Sequence, residues 1–103
     1  MKVTSSLRGQ VLYITLSGEM DECSAPSARE ICDRLIEENS TVKKIVINLS
    51  EVAFMDSTGI GFLIGRYKKA SRLSISLYIE NPDFAADKIL NLSGIYSLIP
   101  KAE

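Results

Sequence analysis

The sequence contains no histidine among its 103 residues. This absence excludes the usual Ser-His-acid arrangement of hydrolases and most zinc sites. The two cysteines, Cys23 and Cys32, are too far apart for a Cys-x-x-Cys metal or redox motif. Cys32 falls on the apolar side of a predicted helix, which fits a small core residue. We therefore expect neither a metal site nor a cofactor.

Long apolar runs and an excess of one charge are also missing. No run approaches the ~20 apolar residues of a membrane-spanning helix, and residues 1–6 do not resemble a signal peptide. The 12 Lys and Arg residues nearly balance the 13 Asp and Glu residues, and they form no basic stripe. A nucleic acid or a membrane is therefore not an expected partner. We expect a cytoplasmic monomer with one domain over residues 1–103.

The sequence contains only partial matches to common enzyme motifs. Ser57 is not part of a Gly-x-Ser-x-Gly elbow. Gly59 and Gly61 could open a dinucleotide fingerprint, but Ile64 stands where the third glycine is needed, and no Walker lysine motif occurs. Without an acid, a base and a nucleophile in one constellation, the sequence favours a binding module over an enzyme.

The hydrophobic pattern alternates between strand and helix periods. The predicted strands cover residues 11–16, 44–49 and about 75–79, with a hairpin partner near Leu7 and a last short strand at 95–99. Residues 17–23 read as a polar loop. Helices are predicted after Ser24 with Pro26 in the first turn, from residue 57 to about Ala70, and from residues 81–83 to a cap at Gly94. This order predicts an α/β domain whose mixed β-sheet of four to five strands has helices packed on it.

The junction at residues 54–59, between a predicted strand and a predicted helix, is the most informative segment. It places the Ser57 hydroxyl beside the unpaired backbone N–H groups of a first helical turn. One interpretation is that Ser57 caps the helix, in which case its replacement by alanine costs ~1 kcal/mol. The other is a switch, because a phosphate on Ser57 adds nearly two negative charges that the helix end stabilises and Asp56 repels.

The helix after this junction carries a candidate docking face and two glycines. Three- and four-residue spacing places four residues on that face: Thr58, Phe62, Arg66 and Lys69. Phe62 is either a core residue or an exposed apolar anchor for a partner. Gly61 and Gly65 each cost roughly 1 kcal/mol relative to alanine. They indicate either close packing of two helices or room for a docking partner.

Three segments together resemble the STAS domain of anti-sigma-factor antagonists. Residues 48–68 contain the run Asn-Leu-Ser-Glu-Val-Ala-Phe-Met-Asp-Ser-Thr-Gly and the helix that follows it. Residues 16–21 resemble the family's Gly-Glu-Leu-Asp loop with Met20 in place of leucine, and residues 92–96 resemble its closing Ser-Gly signature. The Gly-Arg-Tyr-Lys run at 65–68 is most similar to the sporulation branch, which acts on sigma factor F.

The resemblance implies a partner-switching function. The unphosphorylated protein is expected to bind an ATP-bound anti-sigma serine kinase and release the sigma factor, until the kinase phosphorylates Ser57 and a serine phosphatase resets the switch. The implied partner-binding residues are Glu19, Asp21, Asp56, Thr58, Gly59, Phe62 and Arg66. Asp56 either orients the Ser57 hydroxyl or ends the strand through an Asx turn, and we favour the structural role with some influence on phosphotransfer. A general-stress sigma pathway and a STAS module without phosphorylation remain alternatives.

Two features depart from the family pattern. Arg72 and Leu73 stand where the family often has a Gly-Gly pair, which leaves the turn geometry there open. The sequence ends at Glu103, where this branch usually continues into a further C-terminal helix. Either the sequence is a trimmed form or it is a minimal version of the domain, and in both cases we expect the sheet face or edge that such a helix covers to be exposed.

Overall fold

The computed structural model describes residues 1–102, which form four strands, three α-helices and one 3₁₀-helix. The strands are β1 (Lys2–Arg8), β2 (Val11–Met20), β3 (Lys44–Met55) and β4 (Ser76–Glu80). The helices are α1 (Ala25–Glu38), α2 (Ser57–Arg72), α3 (Phe84–Ser93) and the 3₁₀-helix Ile95–Ser97. The sheet order is β1-β2-β3-β4, with β1 antiparallel to β2 and the other pairs parallel. The predicted mixed sheet with an initial hairpin is confirmed.

One continuous core lies between the sheet and the helices. Ile14 on β2, Ile47 on β3 and Ile79 on β4 are register partners, and all three are fully buried. Helices α1, α2 and α3 contribute to the same cluster, so they pack on the same face of the sheet. Cys32 belongs to this core as predicted, and burial raises the pKa of its thiol to about 12.

Strands β2 and β3 are both longer than predicted. The prediction of a polar loop at 17–23 is wrong for residues 17–20. These residues belong to β2, which continues through Met20 and pairs with β3 as far as Met55. The register shifts between Thr15 and Ser17 and between Gly18 and Glu19, so this half of the strand is irregular. The extension carries β2 alongside the strand end that precedes Ser57.

The strand predicted at 95–99 is also wrong. Ile95 and Ile99 are buried four residues apart, which is a helical spacing, and the Ile99 N–H donates to the Ile95 carbonyl at 2.8 Å. Strand-like pairing with the sheet occurs further along the chain, where Lys101 forms a parallel bridge with Ile79 on β4.

Helix ends largely follow the sequence signals. Pro26 lies in the first turn of α1, Asp83 caps α3, and Gly94 closes α3 in the left-handed conformation with φ of 78°. At the turn after α2, where the family often has two glycines, Ser74 takes the left-handed conformation with φ of 60°. The left-handed conformation at this turn is therefore adopted by a serine and not by a glycine.

Candidate functional site

The candidate site is built around the turn from β3 into α2. Asp56 is the N-cap of α2, and its Oδ1 accepts a hydrogen bond from the Thr58 N–H at 2.9 Å. Its carbonyl oxygen accepts from the Gly59 N–H at 3.0 Å. The interpretation of Ser57 as the cap is therefore wrong, because Asp56 is the N-cap and accepts from the Thr58 N–H through its carboxylate and from the Gly59 N–H through its carbonyl oxygen. The Asx-type bond predicted for Asp56 is confirmed, and its influence on phosphotransfer stays a prediction.

Ser57 is the first residue of α2 and is exposed to solvent. Within residues 1–102 its hydroxyl takes part in no hydrogen bond. Thr58 is half-buried and faces a cleft next to α1. Of the two neighbouring hydroxyls, that of Ser57 is therefore the more accessible to another protein.

The end of β2 lies beside this turn. Glu19 is the register partner of Phe54, and Met20 is the register partner of Met55. Glu19 is exposed, and Phe54 is 49% exposed although it is a large apolar residue. An acidic and an aromatic side chain thus stand next to each other near Ser57. The sequence reasoning missed Phe54, because only the irregular end of β3 turns it out of the core.

The loop from β2 to α1 is held by its own hydrogen bonds. Asp21 Oδ1 accepts from the N–H groups of Cys23 and Ser24, each at 3.0 Å. The backbone hydrogen bond from Ser24 is the main reason that the pKa of Asp21 is lowered. The Ser24 hydroxyl does not cap α1 but donates to the Glu19 carbonyl at 2.6 Å. These bonds fix the position of the loop relative to the β2 end.

Gly59 allows β3 and α2 to approach closely. A Cβ at this position would lie 2.5 Å from Met55 Cγ and 2.9 Å from its Sδ. Gly59 is itself buried. Its role in this structure is to let the Met55 side chain pack beneath the first turn of α2.

The predicted docking face of α2 turns toward α1. Phe62 is only 5% exposed and belongs to the core, which decides between its two interpretations. Arg66 is equally buried, and its Nε lies 2.8 Å from Asp33 Oδ1 on α1. Lys69 pairs with Glu37 at 3.6 Å. The expectation of an exposed face is therefore wrong for Phe62 and Arg66, because α1 covers them.

A cleft of about 430 Å³ separates the N-terminal halves of the two helices. The α1 side is lined by Glu22, Ala25, Pro26 and Arg29, and the α2 side by Thr58, Gly61, Phe62, Gly65 and Arg66. Nothing lies within 4 Å of a Cβ built on Gly61 or Gly65. The two glycines therefore leave open space instead of a tight helix contact.

Comparison with known proteins agrees with this architecture. The STAS domain model matches residues 3–103, so the chain belongs to the STAS family. It is 30% identical over 90 residues to the anti-sigma F factor antagonist of Paenibacillus polymyxa, covering 87% of this chain and 76% of the relative. It is 31% identical over 88 residues to the anti-sigma-B factor antagonist of Bacillus subtilis, covering 85% and 78%.

Solved structures show the same fold. The anti-sigma factor antagonist SpoIIAA in its unphosphorylated form superposes with a TM-score of 0.80 at 23% identity, covering 99% of this chain and 89% of that protein. Its phosphorylated form superposes with a TM-score of 0.71, covering 99% and 92%. Within residues 1–102, no helix has the length and apolar content required to cross a bilayer.

Proposed function

We propose that this protein is an anti-sigma factor antagonist switched by phosphorylation of Ser57. Its unphosphorylated form binds an ATP-bound anti-sigma serine kinase and releases the sigma factor, and the protein does not itself catalyse a reaction. The observation that carries this proposal is the exposed Ser57 at the first position of α2, with its hydroxyl free of any hydrogen bond within residues 1–102. A kinase can reach this hydroxyl without unfolding the domain.

The surroundings of Ser57 explain how a phosphate would act. Asp56, not Ser57, caps α2, so esterifying the Ser57 hydroxyl removes no bond that holds the helix. The phosphate adds nearly two negative charges beside Asp56 and on the side of the domain where Glu19 is exposed. A partner surface that matches the unmodified site is then repelled, while the fold persists.

The remaining partner-binding residues divide into two groups. Glu19 and Thr58 offer side chains for contact, and Asp21 keeps the loop beside them in place. Gly59, Phe62 and Arg66 act from beneath the surface, because all three are buried. They hold α2 in the position that presents Ser57 and the cleft.

The pathway we favour is that of sigma factor F in sporulation, acting in the cytoplasm with a serine phosphatase to reset the switch. The similarity of residues 65–68 to that branch favours it. Identity to the relatives of the F and B pathways is nearly equal, at 30% and 31%. The general-stress pathway therefore stays the alternative, with the same chemistry and a different kinase.

Incubation with the cognate anti-sigma kinase and ATP, followed by intact mass measurement, tests the proposal. Wild type should gain one phosphate and Ser57→Ala none, while both proteins bind the kinase. Thr58→Ser is a matched control that keeps a hydroxyl at the neighbouring position and should gain one phosphate. Kinase binding without a phosphate on wild type would leave a STAS binding module that this modification does not regulate.

A further inference from the structure

Phe54 is turned out of the core by an irregularity in β3. Gly18 on β2 is the register partner of Val52, but the next residue, Glu19, is the register partner of Phe54, so Ala53 is an extra residue in β3. An extra residue of this kind is a β-bulge, and it changes the faces to which the following side chains point. In a regular strand, Phe54 would lie on the same face as the buried Val52. The bulge therefore exposes an aromatic side chain that a regular strand would bury.

The same bulge supports the turn that presents Ser57. It directs Met55 inward, where this side chain is 5% exposed and packs beneath Gly59 in the first turn of α2. Phe54 is 49% exposed and lies three residues before the exposed Ser57. Bulges are common beside functional sites, where they direct a side chain. The exposed ring and the exposed hydroxyl thus belong to one local structure.

Glu19 supplies a carboxylate next to this ring. Glu19 and Phe54 are register partners on adjacent strands, so their side chains are neighbours. Within residues 1–102 the exposed Glu19 carboxylate forms no hydrogen bond or ion pair. Three other carboxylates nearby accept hydrogen bonds from the domain itself, and they belong to Asp21, Glu51 and Asp56. Glu19 is therefore the carboxylate beside Phe54 that a partner can pair with.

The charge around Phe54 is negative even when the nearby cations are counted. Residues 9–28 and 45–65 contain both strand ends and the start of α2, and they include no Lys or Arg. Their five acidic residues are Glu19, Asp21, Glu22, Glu51 and Asp56. Three positive charges reach this end from elsewhere in the chain: Lys2 opposite Ser17, the Met1 ammonium group beside Gly18, and Arg29 on the cleft. Charge complementarity therefore selects a basic partner group.

A contact between a cation, an aromatic ring and a carboxylate already occurs inside the domain. The Arg66 guanidinium carbon lies 5.0 Å from the centre of the Phe62 ring, and Arg66 Nε lies 2.8 Å from Asp33 Oδ1. The face of the ring attracts the cation, and the carboxylate neutralises it. At the surface, Phe54 and Glu19 offer the same two groups to a cation from a partner.

We propose that Phe54 and Glu19 form one docking contact for the anti-sigma kinase, in which a basic side chain of the kinase lies on the Phe54 ring and pairs with the Glu19 carboxylate. The inference rests on the proposed function, and it adds Phe54 and the chemistry of its partner group to the interface. A guanidinium suits this contact better than an ammonium group, because its plane stacks on the ring while its N–H groups reach the carboxylate.

The contact is compatible with release after phosphorylation. Because the kinase transfers a phosphate from its ATP to Ser57, the nucleotide phosphates must face Ser57 in the complex. After the transfer, the phosphate on Ser57 faces the phosphates of the remaining ADP and the carboxylate of Asp56, and their repulsion opposes the docking contact. Phe54 and Glu19 therefore contribute affinity for the unphosphorylated protein.

Removing the ring tests the role of Phe54. By isothermal titration with the cognate anti-sigma kinase and a non-hydrolysable ATP analogue, we expect Phe54→Ala to bind at least about tenfold more weakly than wild type. Phe54→Leu keeps an apolar side chain at the bulge, so it should fold like wild type and still bind at least about threefold more weakly. Leu7→Ala is the control, because Leu7 is 56% exposed at the far end of the β1–β2 hairpin, and it should bind within about twofold of wild type.

Removing one charge tests the role of Glu19. Glu19 and Glu38 are both exposed, and neither carboxylate forms an ion pair within residues 1–102. Glu19→Gln should weaken kinase binding at least about fivefold, and Glu38→Gln should change it less than about twofold. Combining Phe54→Ala with Glu19→Gln should weaken binding by less than the product of the two single effects, because one cation uses both groups.

Three results would overturn the inference and leave the proposed function standing. They are wild-type affinity of Phe54→Ala and Phe54→Leu, equal effects of Glu19→Gln and Glu38→Gln, and a combined loss equal to the product of the single losses. Failure of wild type to bind the kinase would instead refute the proposed function and, with it, this contact.

Discussion

Asp56 Oδ1 accepts a hydrogen bond from the Thr58 N–H at 2.9 Å, so the residue before Ser57 caps α2. Asp56→Ala should therefore lower the free energy of unfolding by about 1 kcal/mol. Ser57→Ala should change the free energy of unfolding by less than about 0.5 kcal/mol, because the Ser57 hydroxyl forms no hydrogen bond within residues 1–102. Urea denaturation of both variants measures the difference. An equal loss in the two variants would mean that Ser57 shares the capping role.

The three glycines of α2 should respond differently to alanine. Gly59→Ala forces a Cβ to within 2.5 Å of Met55 Cγ, and this overpacking should outweigh the gain in helix propensity, for a net loss of about 1–2 kcal/mol. Gly61→Ala and Gly65→Ala meet open space and should gain about 0.5–1 kcal/mol each. Thermal and urea unfolding of the three variants test this ordering. A stabilised Gly59→Ala would show that Met55 can move aside freely.

The ion pair between Arg66 and Asp33 should contribute more to the free energy of unfolding than the more exposed pair between Lys69 and Glu37. Asp33→Ala leaves the buried guanidinium without its counter-charge and should cost about 1–3 kcal/mol, less than a fully buried pair because Asp33 is itself 28% exposed. Glu37→Ala breaks the more exposed pair with Lys69 and should cost less than about 0.5 kcal/mol. Equal losses in urea denaturation would contradict this account.

Asp87 should make stability sensitive to acid. Its carboxylate pairs with Lys101 at 2.8 Å and accepts a hydrogen bond from the Tyr96 hydroxyl, and these contacts lower its pKa. A lowered carboxyl pKa contributes stability above the ordinary value of about 4, and this contribution disappears as the pH falls through the lower folded value. Unfolding measured from about pH 6 to pH 2 should therefore show a shallower acid loss for Asp87→Asn. Parallel profiles for wild type and the variant would rule out this contribution.

The parts of the fold that follow from local pattern were predictable. Three features depend on residues that are close together in sequence, and they could therefore be predicted locally. These features are the apolar strand at Ile45 and Ile47, the start of α3 at Asp83 and its end at Gly94. The irregular pairing of Ser17 and Gly18 with β3 was not predictable, because polar residues in a distorted strand end look like a loop. Likewise, Ile95 and Ile99 fit a short strand or a helical turn until their burial is known.

The site was predictable in its residues more than in its geometry. Asp56 and Ser57 are both good capping residues, and only the turn geometry decides which side chain reaches the Thr58 N–H. Helical spacing placed Phe62 and Arg66 on one face, but spacing cannot show which element covers that face. The approach of Asp33, 33 positions away in sequence, turns the predicted docking face into a helix interface with a cleft at one end.

The most direct test of the central claim is displacement of a labelled sigma factor from its complex with the cognate anti-sigma kinase, followed by fluorescence anisotropy. We expect unphosphorylated wild type and Ser57→Ala to release the sigma factor, and wild type phosphorylated at Ser57 to leave the complex intact. Release by the phosphorylated protein at the same concentration, or no release by the unphosphorylated protein, would contradict a Ser57 switch in an anti-sigma factor antagonist.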